Sequence, residues 1–387
     1  MTLIYLVAGE ASGDALGARL VAALRAREPE LSFAGIGGER LAEQGVTSLF
    51  PMRELALMGL VEVLPNIRNL SRRMAETVAD IAARRPAAIV TIDSPGFALR
   101  LAERVKPLGI PLIHYVAPQI WAWRPGRVAK IRAQVDRILC LLPFEQVIFE
   151  QAGIPASFVG HPVLESGAGS GDAARFRAAH GIGAEEPVLL VMPGSRRMEV
   201  RRLLPTFGGA VRLLAGRLPG LRPVIAVSPV VAEAVRAGVA DWPGRPVLVE
   251  TLAEKHDAFA AADVGLIKSG TSSLEMAVAG VPHVVAYRVN PVTAEILRWL
   301  VRVRFASLVN LLAEREVAPE FIQSRATPEA LAAALHPLLT DPAAAAAQRD
   351  AFARVLEQLH PPGLSPSQAA AEAVLAEIDA SPTNRAR

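Results

Sequence analysis

Residues 3–14 read Leu-Ile-Tyr-Leu-Val-Ala-Gly-Glu-Ala-Ser-Gly-Asp, six apolar positions running straight into a turn of small and acidic residues. The first half has the composition of a buried strand and the second that of a strand-to-helix turn. Leu16, Leu20 and Leu24 follow at a four-residue spacing, which keeps them on one face of a helix. A buried strand, a tight turn and a helix together form the opening unit of a doubly wound parallel sheet. The chain then repeats that unit with AAIVTI (87–92), PLIHYV (111–116) and RILCLL (137–142). Between them, Ile67, Leu70, Met74, Val78 and Ile81 recur every three or four residues and predict an amphipathic helix.

A second series begins at PVLLVM (187–192) and continues through RPVIAVS (222–228), RPVLVE (245–250), DVGLI (263–267) and PHVVAY (282–287). The stretch that divides the two series, residues 165–186, is rich in Gly, Ser and Ala and suits a hinge. The expected fold class is therefore α/β, with two Rossmann-like doubly wound lobes facing a cleft: residues 1–165 and residues 186–327. From residue 328 the strands stop. Ala-rich runs such as PEALAAALHPLL (328–339) and PSQAAAEAVLAEIDA (366–380) predict a helical tail over 328–387, frayed over its last seven residues.

The 387 residues are 51% hydrophobic and 20% charged, and the 29 glycines and 30 prolines are dispersed, which excludes disorder and collagen. Cys140, the single cysteine, rules out an internal disulfide or a multi-cysteine metal site and fits a reducing compartment. The opening strand has no basic segment ahead of it and meets Glu10 early, so it is not a signal peptide, and no apolar run is long enough to span a membrane. The 41 basic and 38 acidic side chains leave a net charge of +3, too little to imply a nucleic-acid partner. Their distribution is more informative. Trp121 and Trp123 stand beside Arg124, and residues 100–137 hold eight basic side chains against two acidic ones, a combination that suits a membrane boundary or an anionic ligand. Residues 55–64, LALMGLVEVL, with Leu57, Met58 and Leu60, are either core or a surface for something apolar.

Four turns can carry chemistry. Gly9, Glu10, Ser12 and Gly13 follow the first strand at the sheet edge where such folds bind ligands. Asp93 directly follows AAIVTI, so a carboxylate is held at a strand's end, either as a base or as a helix cap. In the second series, Gly194, Ser195 and Arg196 close one strand, and Ser269, Gly270 and Thr271 close another with Glu275 one turn further on; backbone N–H groups at helix starts, a guanidinium and hydroxyls suit either an anion cradle for a diphosphate and a ribose or plain helix caps, with Glu275 serving the ribose or the helix dipole. The spacings G-x-G-x-x-G, G-x-x-x-x-G-K-[ST], H-E-x-x-H and Asp-x-Asp are absent, so no dinucleotide, P-loop or metal site is expected, and no cofactor.

The segments AGEASGD, GIGGER, LALMGLVEVL, IDSPGF, HYVAPQIWAWR, LLPFE, FVGHPV, MPGSR, SGTSSLE and SLVNLLAEREVAPE, in this order along the whole chain, resemble those of the lipid-A-disaccharide synthases, inverting hexosyltransferases of family 19 with the two-lobed GT-B architecture. The resemblance implies transfer of a 2,3-diacylglucosamine unit from its UDP donor to 2,3-diacylglucosamine 1-phosphate, giving a β-1,6-linked disaccharide and UDP, a step of lipopolysaccharide synthesis. It also implies that Asp93 is the base, that Gly194 to Arg196, Ser269 to Thr271, Glu275 and Asn310 serve the donor nucleotide, and that residues 8–14 serve the acceptor lobe. Leu57, Met58, Leu60, Trp121, Trp123 and Arg124 would then dock on the inner face of the cytoplasmic membrane. A homodimer is left open. In one respect the chain departs from the family pattern: a second acidic residue commonly stands three positions after the aspartate, and here that position is Gly96. The rival reading is a UDP-sugar 2-epimerase on the same frame.

Overall fold

The computed structural model describes residues 2–55, 60–119, 128–290, 293–295, 299 and 303–381, and of residues 60–67, 129 and 130 the backbone alone. The expected positions Leu57, Met58, Trp121, Trp123 and Arg124, and the side chain of Leu60, lie outside the described residues. The chain divides into two compact units, residues 1–162 with 359–387, and residues 163–358.

In the first unit the strands are β1 (Leu3–Ala8), β2 (Ser32–Ile36), β3 (Ala88–Ile92), β4 (Leu112–Tyr115), β5 (Arg137–Cys140) and β6 (Ala156–Phe158). They pair in parallel in the order β2-β1-β3-β4-β5-β6. Helix α1 (Ala11–Arg27) follows β1, and α2 (Glu39–Glu43) follows β2. Helices α3 (Leu60–Arg84) and α4 (Pro95–Val105) come next, then α5 (Val128–Ile131) and α6 (Pro143–Gln151). Parallel strands covered on both faces must be apolar throughout, and Ile4 to Ala8 and Ala88 to Ile92 are all buried. On α1 the expected leucines Leu16, Leu20 and Leu24 are buried, and on α3 Met74 and Ile81 reach the core with Leu70 and Val78 partly buried beside them. Gly35 is required in β2: its φ is +141°, and a Cβ there would sit 1.8 Å from the Leu6 carbonyl oxygen.

The second unit opens with α7 (Ala173–His180) and continues through β7 (Val188–Met192), α8 (Arg197–Ala215), β8 (Arg222–Ala226), α9 (Ala232–Gly238) and β9 (Val247–Val249). Then come α10 (Leu252–Ala261), β10 (Val264–Lys268), α11 (Ser272–Val278) and β11 (His283–Tyr287). Helix α12 (Leu308–Ala313) and β12 (Glu320–Ile322) complete the α/β series. The sheet is again parallel, in the order β12-β11-β10-β7-β8-β9. Helix α8 buries Val200, Leu203, Leu204, Phe207, Val211 and Leu214 against it. Each such side chain contributes about 1.5–3 kcal/mol of burial.

The helical tail is divided between the units. Helices α13 (Pro328–Thr340) and α14 (Pro342–Glu357) belong to the second unit, where α13 packs on α8. The last helix, α15 (Pro366–Ala380), belongs to the first: it lies against α1, buries Ala370, Ala371, Val374 and Ile378, and places Glu377 2.6 Å from Arg137 on β5. Alanine periodicity is the same in all three helices, so the sequence does not show that the last one returns to the first sheet. Strands β2, β6 and β12 also escape the apolar-run criterion: each holds only three to five residues at or near an edge of its sheet. Among the described residues no helix is long and apolar enough to cross a membrane.

Candidate active site

In an open parallel sheet the ligand crevice forms at the carboxyl ends of the two strands between which the connection order reverses, because the helices leaving those strands depart to opposite faces. In the first sheet those strands are β1 and β3; in the second they are β7 and β10. The turns that follow these four strands are the ones the sequence marks: residues 9–14, 93–94, 193–196 and 269–271.

At the first switch point the chain is tightly packed. Gly9 is buried, and a Cβ there would stand 2.5 Å from Ser94 Oγ; a Cβ on Gly13 would be 3.2 Å from the Ile92 carbonyl oxygen. Glycine at 9 and 13 thus lets the β1 turn and α1 close on the end of β3. Glu10 precedes α1, its carbonyl accepting from the Asp14 N–H at 2.9 Å, and Ser12 is exposed. Asp14 itself is buried and accepts the N–H groups of Gly38, Arg40 and Leu41 at 2.7, 2.9 and 3.1 Å, so it ties the 35–40 turn to the first one.

Asp93 and Ser94 are both in the left-handed region, with φ of +54° and +46°. For residues with a Cβ such backbone costs on the order of 1–3 kcal/mol each, and strain of this kind concentrates at functional positions. The Asp93 N–H is fixed by the Tyr115 carbonyl at 2.9 Å, and its Oδ1 accepts from the Ser94 N–H at 2.8 Å. Asp93 is half-buried and the Ser94 hydroxyl is buried without a partner. Asp93 is not a conventional N-cap: its carboxylate bonds the next residue instead of the second or third N–H of α4. At Gly96 a Cβ would meet nothing within 4 Å, so packing does not exclude an acidic side chain there.

The second switch point opens into a cavity of about 460 Å³, walled by the 192–199 and 268–275 turns and by the ends of β8 and β9 up to Lys255. Its volume suits a nucleotide-sized ligand. Gly194, Ser195, Arg196, Ser269, Gly270, Thr271 and Glu275 all line it. Ser269 donates its hydroxyl to the Ala306 carbonyl at 2.7 Å, so that side chain holds the wall in place. Ser272 begins α11 behind Thr271, and the next N–H groups, those of Ser273 and Leu274, already donate to the Gly270 and Thr271 carbonyls at 3.3 and 3.0 Å. Lys268 and Lys255 bring two cations to the wall. Lys268 Nζ lies 3.0 Å from Glu199, and Lys255 Nζ lies 2.9 and 3.0 Å from the two oxygens of Glu275. Lys268 had a readable signal, since it ends the apolar run 263–267. Lys255 is a helical residue that reaches the wall only through the tertiary placement of α10.

The structure does not bring Asn310 into the cavity wall. It is wholly buried, accepts the N–H groups of Val317 and Ala318 at 2.7 and 2.8 Å, and donates to the Ala318 carbonyl and to Glu320 at 2.7 and 2.8 Å. Glu320 in turn accepts the N–H groups of Ala306 and Ser307. Asn310 therefore meets Ser269 only through that chain of bonds, because its amide is already saturated by the 317–320 segment.

Two doubly wound parallel α/β units, one with a nucleotide-sized cavity at its switch point, define the GT-B class; among solved structures, Acinetobacter baumannii MurG superposes with a TM-score of 0.57 at 16% identity, covering 98% of this chain and 99% of that one. A UDP-GlcNAc 2-epimerase from Neisseria meningitidis bound to UDP-GlcNAc shares the fold as well, with a TM-score of 0.62 at 12% identity over 97% of this chain and 99% of that one. At the level of sequence the match is specific. The family model described as LpxB, lipid-A-disaccharide synthetase, covers residues 4–374, and the lipid-A-disaccharide synthase of Gluconobacter oxydans is 52% identical over 96% of this chain and 90% of its own length. The chain belongs to the lipid-A-disaccharide synthase family. Likeness to the epimerase extends to the fold alone.

Proposed function

We propose that this chain transfers 2,3-diacylglucosamine from its UDP donor to 2,3-diacylglucosamine 1-phosphate, releasing UDP and forming the β-1,6-linked disaccharide. The observation that carries the reading is the convergence of the Arg196 and 269–271 turns on one cavity at a sheet switch point, in a chain of this family. The diphosphate is held by the 270–272 turn, the Thr271 hydroxyl and the cations of Arg196 and Lys268, while Glu275 accepts from the ribose hydroxyls. The Asp93 carboxylate takes the proton of the acceptor 6-hydroxyl as its oxygen bonds to the anomeric carbon. The bond from that carbon to the β-phosphate oxygen breaks with inversion, and the electron pair departs with UDP. Charge accumulating on the leaving diphosphate is offset by Arg196 and Lys268, the kind of electrostatic contribution that dominates where an anion is expelled.

The substrates carry acyl chains, and residues 55–60 with the Trp121, Trp123 and Arg124 segment serve as the peripheral contact with the inner face of the cytoplasmic membrane. Incubation of the protein with both lipid sugars tests the reading: mass analysis is expected to show the disaccharide 1-phosphate with stoichiometric UDP. A new UDP-sugar epimer formed from the donor alone would overturn it in favour of epimerisation.

A further inference from the structure

The start of α8 already holds an anion, and that anion is part of the protein. Glu199 turns back from the first turn of the helix so that its Oε2 accepts from the Ser195 and Arg196 N–H groups at 3.2 and 3.3 Å. Its Oε1 lies 3.0 Å from Lys268 Nζ and 3.7 Å from an Arg196 Nη. The side chain is only 12% exposed and lines the cavity. The turn is shaped around it: Gly194 has φ of +112°, and a Cβ there would lie 2.5 Å from Glu199 Oε2. An ordinary capping carboxylate satisfies N–H groups at a helix start. This one additionally spends its second oxygen on the two cations of the same cavity wall.

We propose that Glu199 is a positioning residue that acts as a resident counter-charge: it aims Lys268 and Arg196 while reducing the net positive field a diphosphate meets, so that UDP leaves after transfer. The proposal rests on the nucleotide reading above. With the α8 seat taken, the diphosphate is gripped at the α11 side, and its negative charge stands beside the Glu199 carboxylate. A unit charge a few ångströms away inside a partly desolvated cavity changes anion affinity by about tenfold or more. The sign separates this role from a merely structural one. Losing a helix cap loosens the turn and weakens the ligand; losing a counter-charge strengthens it.

Calorimetric titration with UDP of the full chain and of Glu199→Gln and Glu199→Asp tests this, with thermal melts of each. Gln keeps an acceptor for the two N–H groups and removes the charge; UDP is expected to bind about tenfold tighter, with kcat falling and product inhibition by UDP deepening by a similar factor. Asp keeps the charge and shortens the reach, and is expected to raise KM for the donor without tightening UDP. Equal or weaker UDP binding by Glu199→Gln would overturn the proposal, as would loss of its cooperative melt, which would make Glu199 a structural requirement of the unit. If the unmodified chain itself does not bind UDP, it is the nucleotide reading that fails.

Discussion

On the proposed reading, the two switch points present their reactive groups in opposite ways. At 93–94 the chain holds a single carboxylate by bending two consecutive non-glycine residues into left-handed backbone. At 194–199 and 268–275 glycine takes the unusual dihedrals, with φ of +112° at Gly194 and +156° at Gly270, and charge is distributed over paired side chains. A proton acceptor must be aimed in one direction, so rigidity at one residue is useful and strain is tolerated. An anion seat must accept and then release its ligand, so several balanced contacts serve better than one strong contact.

The largest expected effect tests the strained side. Asp93→Asn preserves shape and removes the basic oxygen, and kcat is expected to fall by roughly 10²–10⁴-fold while UDP affinity stays within twofold, as read by single-turnover assay and calorimetry. Unaltered turnover would place the base elsewhere and dissolve the contrast. The next effect is on stability and sharpens the comparison through what the units share. His114 in β4 and His283 in β11 are wholly buried, and burial pushes both from the usual 6.5 down to about 4; His161 in the first unit is lowered to about 4 in the same way. Each is neutral when folded and takes up a proton more readily when unfolded. Their contribution is therefore complete above pH 6.5 and is lost as the pH falls from 6.5 through 4, by up to about 3 kcal/mol per group. The first unit holds two such groups against His283 and the less buried, less strongly lowered His256 in the second, so denaturant melts between pH 7 and 4.5 should show the larger shift to lower denaturant in the first unit. The smallest effect returns to the strained turn. Ser94→Gly relieves left-handed backbone and removes an unpartnered buried hydroxyl, and is expected to raise stability by about 1 kcal/mol. A loss of stability would show that the Ser94 side chain supports the turn.

Much of this was legible in the residues, and the exceptions share a cause. Buried parallel strands announce themselves as apolar runs, so β1, β3, β4, β5 and the central strands of the second sheet are visible in the sequence. The edge strand Ala156–Phe158 is not, because Ser157 interrupts it and it forms no apolar run, whereas the equally short edge strand Val247–Val249 does. The turns at 93, 194 and 269 could be found because a strand's end and small residues mark them locally. Glu199 bonding backward to its own turn, Lys255 reaching across from α10, and the burial of Asn310 behind Glu320 depend on contacts that local patterning does not encode.

The packing of α15 on α1 has a consequence for how the protein is made. Ala370, Ala371, Val374 and Ile378 complete a layer over strands β1 and β3, yet they are made after the whole of the second unit. The unit begun before the other is finished after it. While the second unit, residues 163–358, is translated at about 5–20 residues per second, α1 waits with one flank bare, and a ribosome that stalls near residue 360 leaves the second unit with all its residues and the first without its last helix.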